Sequence, residues 1–192
     1  IFTSSMTATS QKPNAYGKSK KMAEDYLNKK SFRTLIIRPT LLYGRGGVTF
    51  SKLVGMSNML PLIVPIIGKG NSIKQPIYVD DAAEIIRCVV AIKLDSNKVY
   101  QIGGLQQVTF NDYVKKILKI QNKNKKLIHM PRSIVWFALG LFEKITKNLP
   151  VTRDAILELE TDTKIDSSMI EKDFNIKLHS LDDGIKLSLP KL

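Results

Sequence analysis

The chain has 192 residues, enough for one sizeable domain or one domain with a small lobe, and 43% of them are hydrophobic. A single cysteine, Cys88, excludes an internal disulfide, and two distant histidines, His129 and His179, argue against a zinc centre. The net charge of +13 raises the question of an anionic partner, yet the lysines are scattered and carry no interleaved aromatic pattern of a nucleic-acid module.

The opening, Ile1-Phe2-Thr3-Ser4-Ser5-Met6-Thr7, reads as a short strand running into hydroxyl side chains. A polar, turn-like stretch follows, with Pro13, and a helix is predicted over residues 15–29. That helix begins with Tyr16-Gly17-Lys18-Ser19-Lys20, which places a phenol and an ammonium on one helical face. A nearby ammonium favours tyrosinate, so the pair is expected to lower the phenol's pKa and ready it for proton transfer to or from a carbinol. Glu24 is expected to pair with Lys20 or Lys21 on the helix surface, or to face solvent.

Arg33-Thr34-Leu35-Ile36-Ile37-Arg38-Pro39 has the continuous apolar centre of a parallel strand buried on both faces, with Pro39 stopping its pairing. The glycine-rich loop Thr40-Leu41-Leu42-Tyr43-Gly44-Arg45-Gly46-Gly47 follows, where an open α/β sheet binds ligands. Residues 50–59 read as a helix, 60–67 as an apolar stretch with two prolines, 68–71 as a turn and 75–79 as extended. Asp80 or Asp81 is expected to cap a helix reaching residue 92. A strand over 98–104 ends in glycines, and Thr109 or Asn111 caps a helix to 120. Residues 126–130 are extended, Pro131 opens an apolar helix around Trp136, and three helical segments are predicted over 152–159, 167–174 and 180–187. His129 and Trp136 read as packing residues.

The order of motifs is Ser-Ser, Tyr16-x-x-x-Lys20, Arg38-Pro39-Thr40-x-x-Tyr43-Gly44, Gly68-x-Gly70, Tyr78-Val79-Asp80-Asp81 and Tyr100-x-Ile102-Gly103-Gly104. Together they resemble the C-terminal half of an extended short-chain dehydrogenase/reductase, the NAD-dependent epimerase/dehydratase type. The tail, from Leu149 to Ile176, also looks like the atypical subgroup that includes the dehydrogenase-like accessory subunit of respiratory complex I. The chain shows no Gly-x-x-Gly-x-x-Gly and starts inside a strand, so it is expected to be the C-terminal part of a longer protein.

The resemblance implies an α/β fold: a partial Rossmann-type doubly wound parallel sheet with a small, mostly helical substrate lobe. Residues 1–105 would belong to the NAD(P)-binding domain, with 48–75 contributing to the lobe, and 106–192 would form the lobe. Tyr16 would be the catalytic acid/base and Lys20 would lower its pKa and bind the nicotinamide ribose. Ser5, or Thr7, would hold the substrate oxygen, because Met6 stands where such enzymes often carry a hydroxyl. Ser4, Pro39, Thr40 and Leu41 would lie near the cofactor, NAD or NADP. Lys74 stands where sugar-nucleotide enzymes often place an arginine on the diphosphate; the alternative is a solvated loop lysine. Arg45 would reach a phosphate or remain an exposed loop residue.

The expected activity is epimerase/dehydratase or reductase chemistry on a nucleotide-sugar-like carbonyl or carbinol, with a noncatalytic dinucleotide-binding or assembly subunit as the alternative. The expected partners are a small-molecule substrate and a second copy of the chain, in the cytoplasm, without metal, nucleic acid or membrane. A lysine run from Lys115 to Lys126 with Arg132, beside the apolar residues 133–142, reads as a solvated face next to a core helix; a membrane or subunit dock is the alternative.

Overall fold

The computed structural model describes residues 1–11, 13–91, 97–142, 153–166, 174 and 176–189. Three strands form a parallel sheet in the order β1 (Phe2–Thr3), β2 (Leu35–Pro39) and β7 (Lys98–Ile102). Phe2 pairs with Ile36, and Ile37 with Tyr100. Leu35, Ile36 and Ile37 are buried without exception, as a central strand covered on both faces requires. Side chains alternate along a strand, so Ile36 and Arg38 share one face and Leu35 and Ile37 the other.

Helix α1 (Ala15–Asn28) lies on the first face, fixed by an ion pair between its Glu24 and Arg38. Helix α3 (Val79–Val90) lies on the second, where Ala82, Ile85 and Val89 pack on Leu35 and Ile37. Helices on both faces of a parallel sheet make the architecture α/β and doubly wound.

Between β2 and β7 the chain builds a second layer. β3 (Leu42–Tyr43) pairs in parallel with β6 (Ile77–Tyr78), and α2 (Val48–Met59) follows β3. β4 (Ile63–Ile67) pairs in parallel with β9 (Lys126–Met130), and its Pro65 is accommodated because this sheet has only two strands. β5 (Ile73–Lys74) runs antiparallel to β8 (Val108–Thr109), which leads into α4 (Phe110–Ile120). The core between α2, β4 and α4 includes Phe50, Val64, Ile66, Tyr113 and Ile117, and α7 (Leu181–Ser188) closes it with Leu181 and Ile185. The remaining helices are α5 (Arg132–Phe142) and α6 (Arg153–Glu160).

Several expectations change. The opening strand is two residues long, because Ser5 caps a 3-10 turn over Met6–Thr9. Pairing reaches Pro39, opposite Ile102, and Thr40 N donates to Ile102 O, so the proline stands where no donor is needed. Tyr78 occupies the N-cap position of α3 with no side-chain hydrogen bond; Asp81 instead accepts from His179 N at 2.9 Å and pairs with His179 Nδ1 at 2.6 Å. Thr109, by contrast, caps α4 as predicted, accepting from Asp112 N. Residue 92, the predicted helix end, lies outside the described residues, as do residue 152 and all of the predicted 167–174 helix except Phe174.

Glu24 is buried rather than on the helix surface, and it accepts two hydrogen bonds from Arg38, at 2.9 and 2.7 Å. His129 is exposed and bonds Asn111 through Nε2, so it is not a packing residue, whereas Trp136 is half-buried under Arg132. The lysine run is partly drawn into the fold: Lys116 pairs with Asp182, Lys123 bonds Asn58, and Lys125 donates to Ser57 O and Leu60 O.

Candidate active site

The carboxyl ends of β1 and β2 open onto a cleft with two chambers, of about 170 and about 150 Å³. Met6 and Thr7 on one side and Glu158 and Thr163 on the other belong to both, and form the neck between them. The first chamber has Thr9, Ser10, Asn14 and Asp162 among its walls. The second is mainly apolar, with Leu41, Val48, Leu53, Met56 and Leu159, and holds Ser5, Thr40 and Lys74 among its polar members.

Each wall has a local cause. Ser5 stands at the end of β1, where extended backbone turns into the 3-10 segment, and its Oγ accepts from Thr7 N at 3.2 Å and from Thr7 Oγ1 at 2.9 Å. A serine hydroxyl has two acceptor sites and one proton. The two hydroxyls share one hydrogen bond, so one proton of the Ser5–Thr7 pair remains for a ligand in the chamber that both line. Thr40 is held by its own donation to Gln75 O at 2.5 Å.

Lys74 is buried at 3% exposure, not a solvated loop residue. Its ammonium donates to the carbonyls of Glu158 and Thr161, at 2.8 and 2.5 Å, at the C-terminal end of α6, where helix carbonyls lack partners and a cation is favoured. Burial pushes its pKa down to about 8, opposed by Glu158 and Asp162. The segment it holds is stitched to β5 further by Ile73 N donating to Asp162 and Thr163 N donating to Ile73 O, both at 2.8 Å. Desolvation raises the pKa of Glu158, with Lys74 countering part of that.

Tyr16 and Lys20 share a helical face, with Lys20 Nζ 5.6 Å from the Tyr16 ring centroid, but neither lines the two chambers. Lys20 donates to Thr3 O at 2.9 Å, at the end of β1. Desolvation, and then the charge of Glu158, raise the Tyr16 pKa. The expected lowering by Lys20 is therefore corrected: within this chain the phenol holds its proton more firmly than free tyrosine.

Of the other predicted residues, Pro39 and Leu41 line the apolar chamber with Ser5, Thr7, Thr40 and Lys74. Ser4 is buried behind the cleft, its N donating to Ile37 O and its side chain beside Glu24. Arg45 points elsewhere; its Nε donates to Leu187 O, and it lines a separate groove beside α2 and residues 188–189. Sequence reasoning missed Glu158 and Thr163, which lie more than 80 residues beyond β5 in the chain and reach the cleft through backbone hydrogen bonds that no local motif encodes. Among the described residues, no group of three or more potential metal ligands exists and no helix is long and apolar enough to cross a membrane.

A parallel sheet wrapped by helices, with hydroxyls and Tyr16-x-x-x-Lys20 at its carboxyl ends, defines the extended short-chain dehydrogenase/reductase class. The sequence profile of the 3-beta hydroxysteroid dehydrogenase/isomerase family matches residues 4–125, and the chain belongs to that family. Among curated proteins, none matches by sequence. Among solved structures, the fold is similar to that of RMD from Pseudomonas aeruginosa complexed with NADPH (TM-score 0.68, 11% identity, 96% of this chain and 63% of that one). It is also similar to UDP-glucuronic acid 4-epimerase from Bacillus cereus in complex with NAD (0.66, 18%, 97% and 56%). UDP-glucose 4-epimerase from Thermotoga maritima with UDP-glucose is a third (0.68, 19%, 98% and 61%). The chain thus spans about three-fifths of the length of these structures.

Proposed function

We propose that the chain forms the substrate-side part of an NAD(P)-dependent oxidoreductase of the epimerase/dehydratase or reductase type, acting on a carbonyl or carbinol. The observation that carries the reading is the Ser5–Thr7 hydroxyl pair: it lines a chamber at the carboxyl end of the sheet and, after its one mutual hydrogen bond, keeps a proton for a ligand oxygen.

The residues at the ends of β1 and β2 fit the nicotinamide end of the cofactor. Lys20 donates to Thr3 O and has two further N–H groups for ribose hydroxyls, and Tyr16 is half exposed beside it. Pro39, Thr40 and Leu41 form the wall the ring would rest on. The cofactor supplies hydride when bound. Tyr16 would give a proton to a substrate oxygen during reduction, or take it during oxidation, and Ser5 would hydrogen-bond an oxygen that enters its chamber. The raised pKa keeps Tyr16 protonated at neutral pH but makes it a weaker acid than free tyrosine, so either direction needs a favourable positive charge beside the phenol, which Lys20 would supply.

Structural neighbours that are UDP-sugar 4-epimerases, two of them with UDP or UDP-glucose bound, favour a nucleotide-sugar as the first compound to assay. The test is NAD(P)H turnover by the full-length protein and its Tyr16→Phe variant. A loss of at least a hundredfold is expected, and equal rates would remove the enzymatic role of Tyr16. A noncatalytic dinucleotide-binding or assembly subunit is the second reading, favoured by Met6 at the neck of the cleft, and equal rates would support it.

A further inference from the structure

Positive charge is not spread evenly over the fold. The sequence has no carboxylate between Asp25 and Asp80, and none between Asp112 and Glu143. These two runs supply α2, β4, most of α4 and β9, and they come together where Lys126 N donates to Leu62 O and Lys123 bonds Asn58. Lys115 pairs with Asp112 and Lys116 with Asp182, but among the described residues Lys119, Lys123, Lys125 and Lys126 pair with no carboxylate. The bonds that Lys123 and Lys125 make are to neutral oxygens of residues 57, 58, 60 and 121. Burial, and then the charge of Lys125, lowers the pKa of Lys123, as like charges without an anion between them do.

Beside these lysines stands an apolar tip. Helix α2 ends at Met59, and Leu60, Pro61 and Leu62 turn the chain into β4. Met59, Leu60 and Leu62 are 78, 40 and 72% exposed, and Pro61 is exposed between them. Ile128, on the same face of β9 as Lys126, is exposed as well. A tip can leave water only if its backbone is satisfied from within. Lys125 Nζ donates to Ser57 O at 2.7 Å and to Leu60 O at 2.5 Å, capping the C-terminal end of α2, and Leu62 O is taken by Lys126 N at 3.0 Å. We propose that this tip docks the protein on an anionic lipid bilayer, with Met59, Leu60 and Leu62 entering the headgroup boundary and Lys119, Lys123, Lys125 and Lys126 facing acidic headgroups. The tip is a projection of aliphatic side chains with no aromatic ring for stacking on bases, so a fluid anionic surface fits it better than a nucleic acid. A folded acidic partner would need a pocket shaped to the projection. The docking is peripheral and independent of the enzymatic reading of the cleft.

The test is flotation of the chain with vesicles of phosphatidylcholine alone and of phosphatidylcholine with one third phosphatidylserine. Binding is expected only with phosphatidylserine. It should weaken about fivefold for each charge removed in Lys119→Gln with Lys126→Gln, two lysines whose side chains are exposed. It should weaken about tenfold or more in Met59→Ser with Leu62→Ser. A measurement on the native chain needs no variant to fold: anionic vesicles should slow peroxide oxidation of Met59 about fivefold or more, and leave Met22, 71% exposed on α1, unaffected. Equal protection of the two methionines overturns the proposal. Undiminished binding by the tip variant means adsorption by charge alone and also overturns it. So do equal binding to neutral vesicles, tighter binding to soluble polyglutamate than to vesicles, and loss of binding in Ile134→Ser with Phe137→Ser but not in the tip variant.

Discussion

The charged residues that matter most here are the ones withdrawn from water. Burial alone would raise the Glu24 pKa, but the two hydrogen bonds and the charge of Arg38, with the charge of Lys21, outweigh it, and the net shift is downward. Its stabilising contribution is therefore complete above about 4.5 and is lost as pH falls through the lower folded value. Removing the carboxylate leaves the half-buried Arg38 without its partner, and Glu24→Ala is expected to destabilise by about 2 to 3 kcal/mol in denaturant titration. A double replacement, Glu24→Leu with Arg38→Met, is expected to recover most of that loss.

Lys74 has the opposite sign. Its folded value, about 8, lies below the ordinary 10.5, so the unfolded chain binds more protons between those values, and stability rises with pH across that window. Keeping the ammonium buried at neutral pH costs on the order of 3 kcal/mol relative to an unshifted lysine. Unfolding followed from pH 7.5 to 10.5 should show the rise in the native chain and not in Lys74→Met; a flat native profile would contradict the buried amine.

At the scale of elements, the close approach of α7 to the aromatic core depends on Gly184. A Cβ there would meet the Tyr43 hydroxyl and ring, and Tyr43 is itself packed among Phe50, Tyr78 and Tyr113. Gly184→Ala is expected to lower stability by about 1 to 3 kcal/mol through overpacking, despite alanine's better helix propensity, and thermal unfolding measures it. The Gly44 turn has a similar constraint, with φ of +148° and Val79 against the missing side chain.

Helices such as α1, α4 and α7 were legible because their caps and apolar spacing are local. Asn14 caps α1 by accepting from Gly17 N, and Ser180 caps α7 by accepting from Asp183 N. The start of α3 misled for a physical reason. Asp81 has the chemistry of a cap, but His179, 98 residues away, offers both a backbone and a ring nitrogen and takes the carboxylate. Similarly, nothing near Glu24 in sequence identifies Arg38 as its partner rather than Lys20 or Lys21.

For the molecule as a whole, the residues fitted to cofactor all belong to the nicotinamide end, and the chain spans about three-fifths of the length of its structural neighbours. The isolated chain is accordingly expected to bind NAD or NADP with a Kd weaker than 1 μM, about −8 kcal/mol. Calorimetry measures this, and sub-micromolar binding would show that these residues suffice.

The sequence by itself determined the α/β class, the buried parallel strand at Leu35–Pro39, most helix boundaries and the family, because periodicity, caps and ordered motifs are local properties. It also offered Ser5, Thr7, Pro39, Thr40, Leu41 and Lys74 as candidates, and all six line one chamber, whereas the other candidates Ser4, Tyr16, Lys20 and Arg45 do not. Only the tertiary structure decided what those residues face. Lys74 is occupied by the carbonyls of a segment some 85 residues away, Arg45 turns to another groove, and burial, then the charge of Glu158 in the cleft, raises the pKa of Tyr16. Charge states and hydrogen-bond partners depend on burial and on distant neighbours, which a run of residues does not specify.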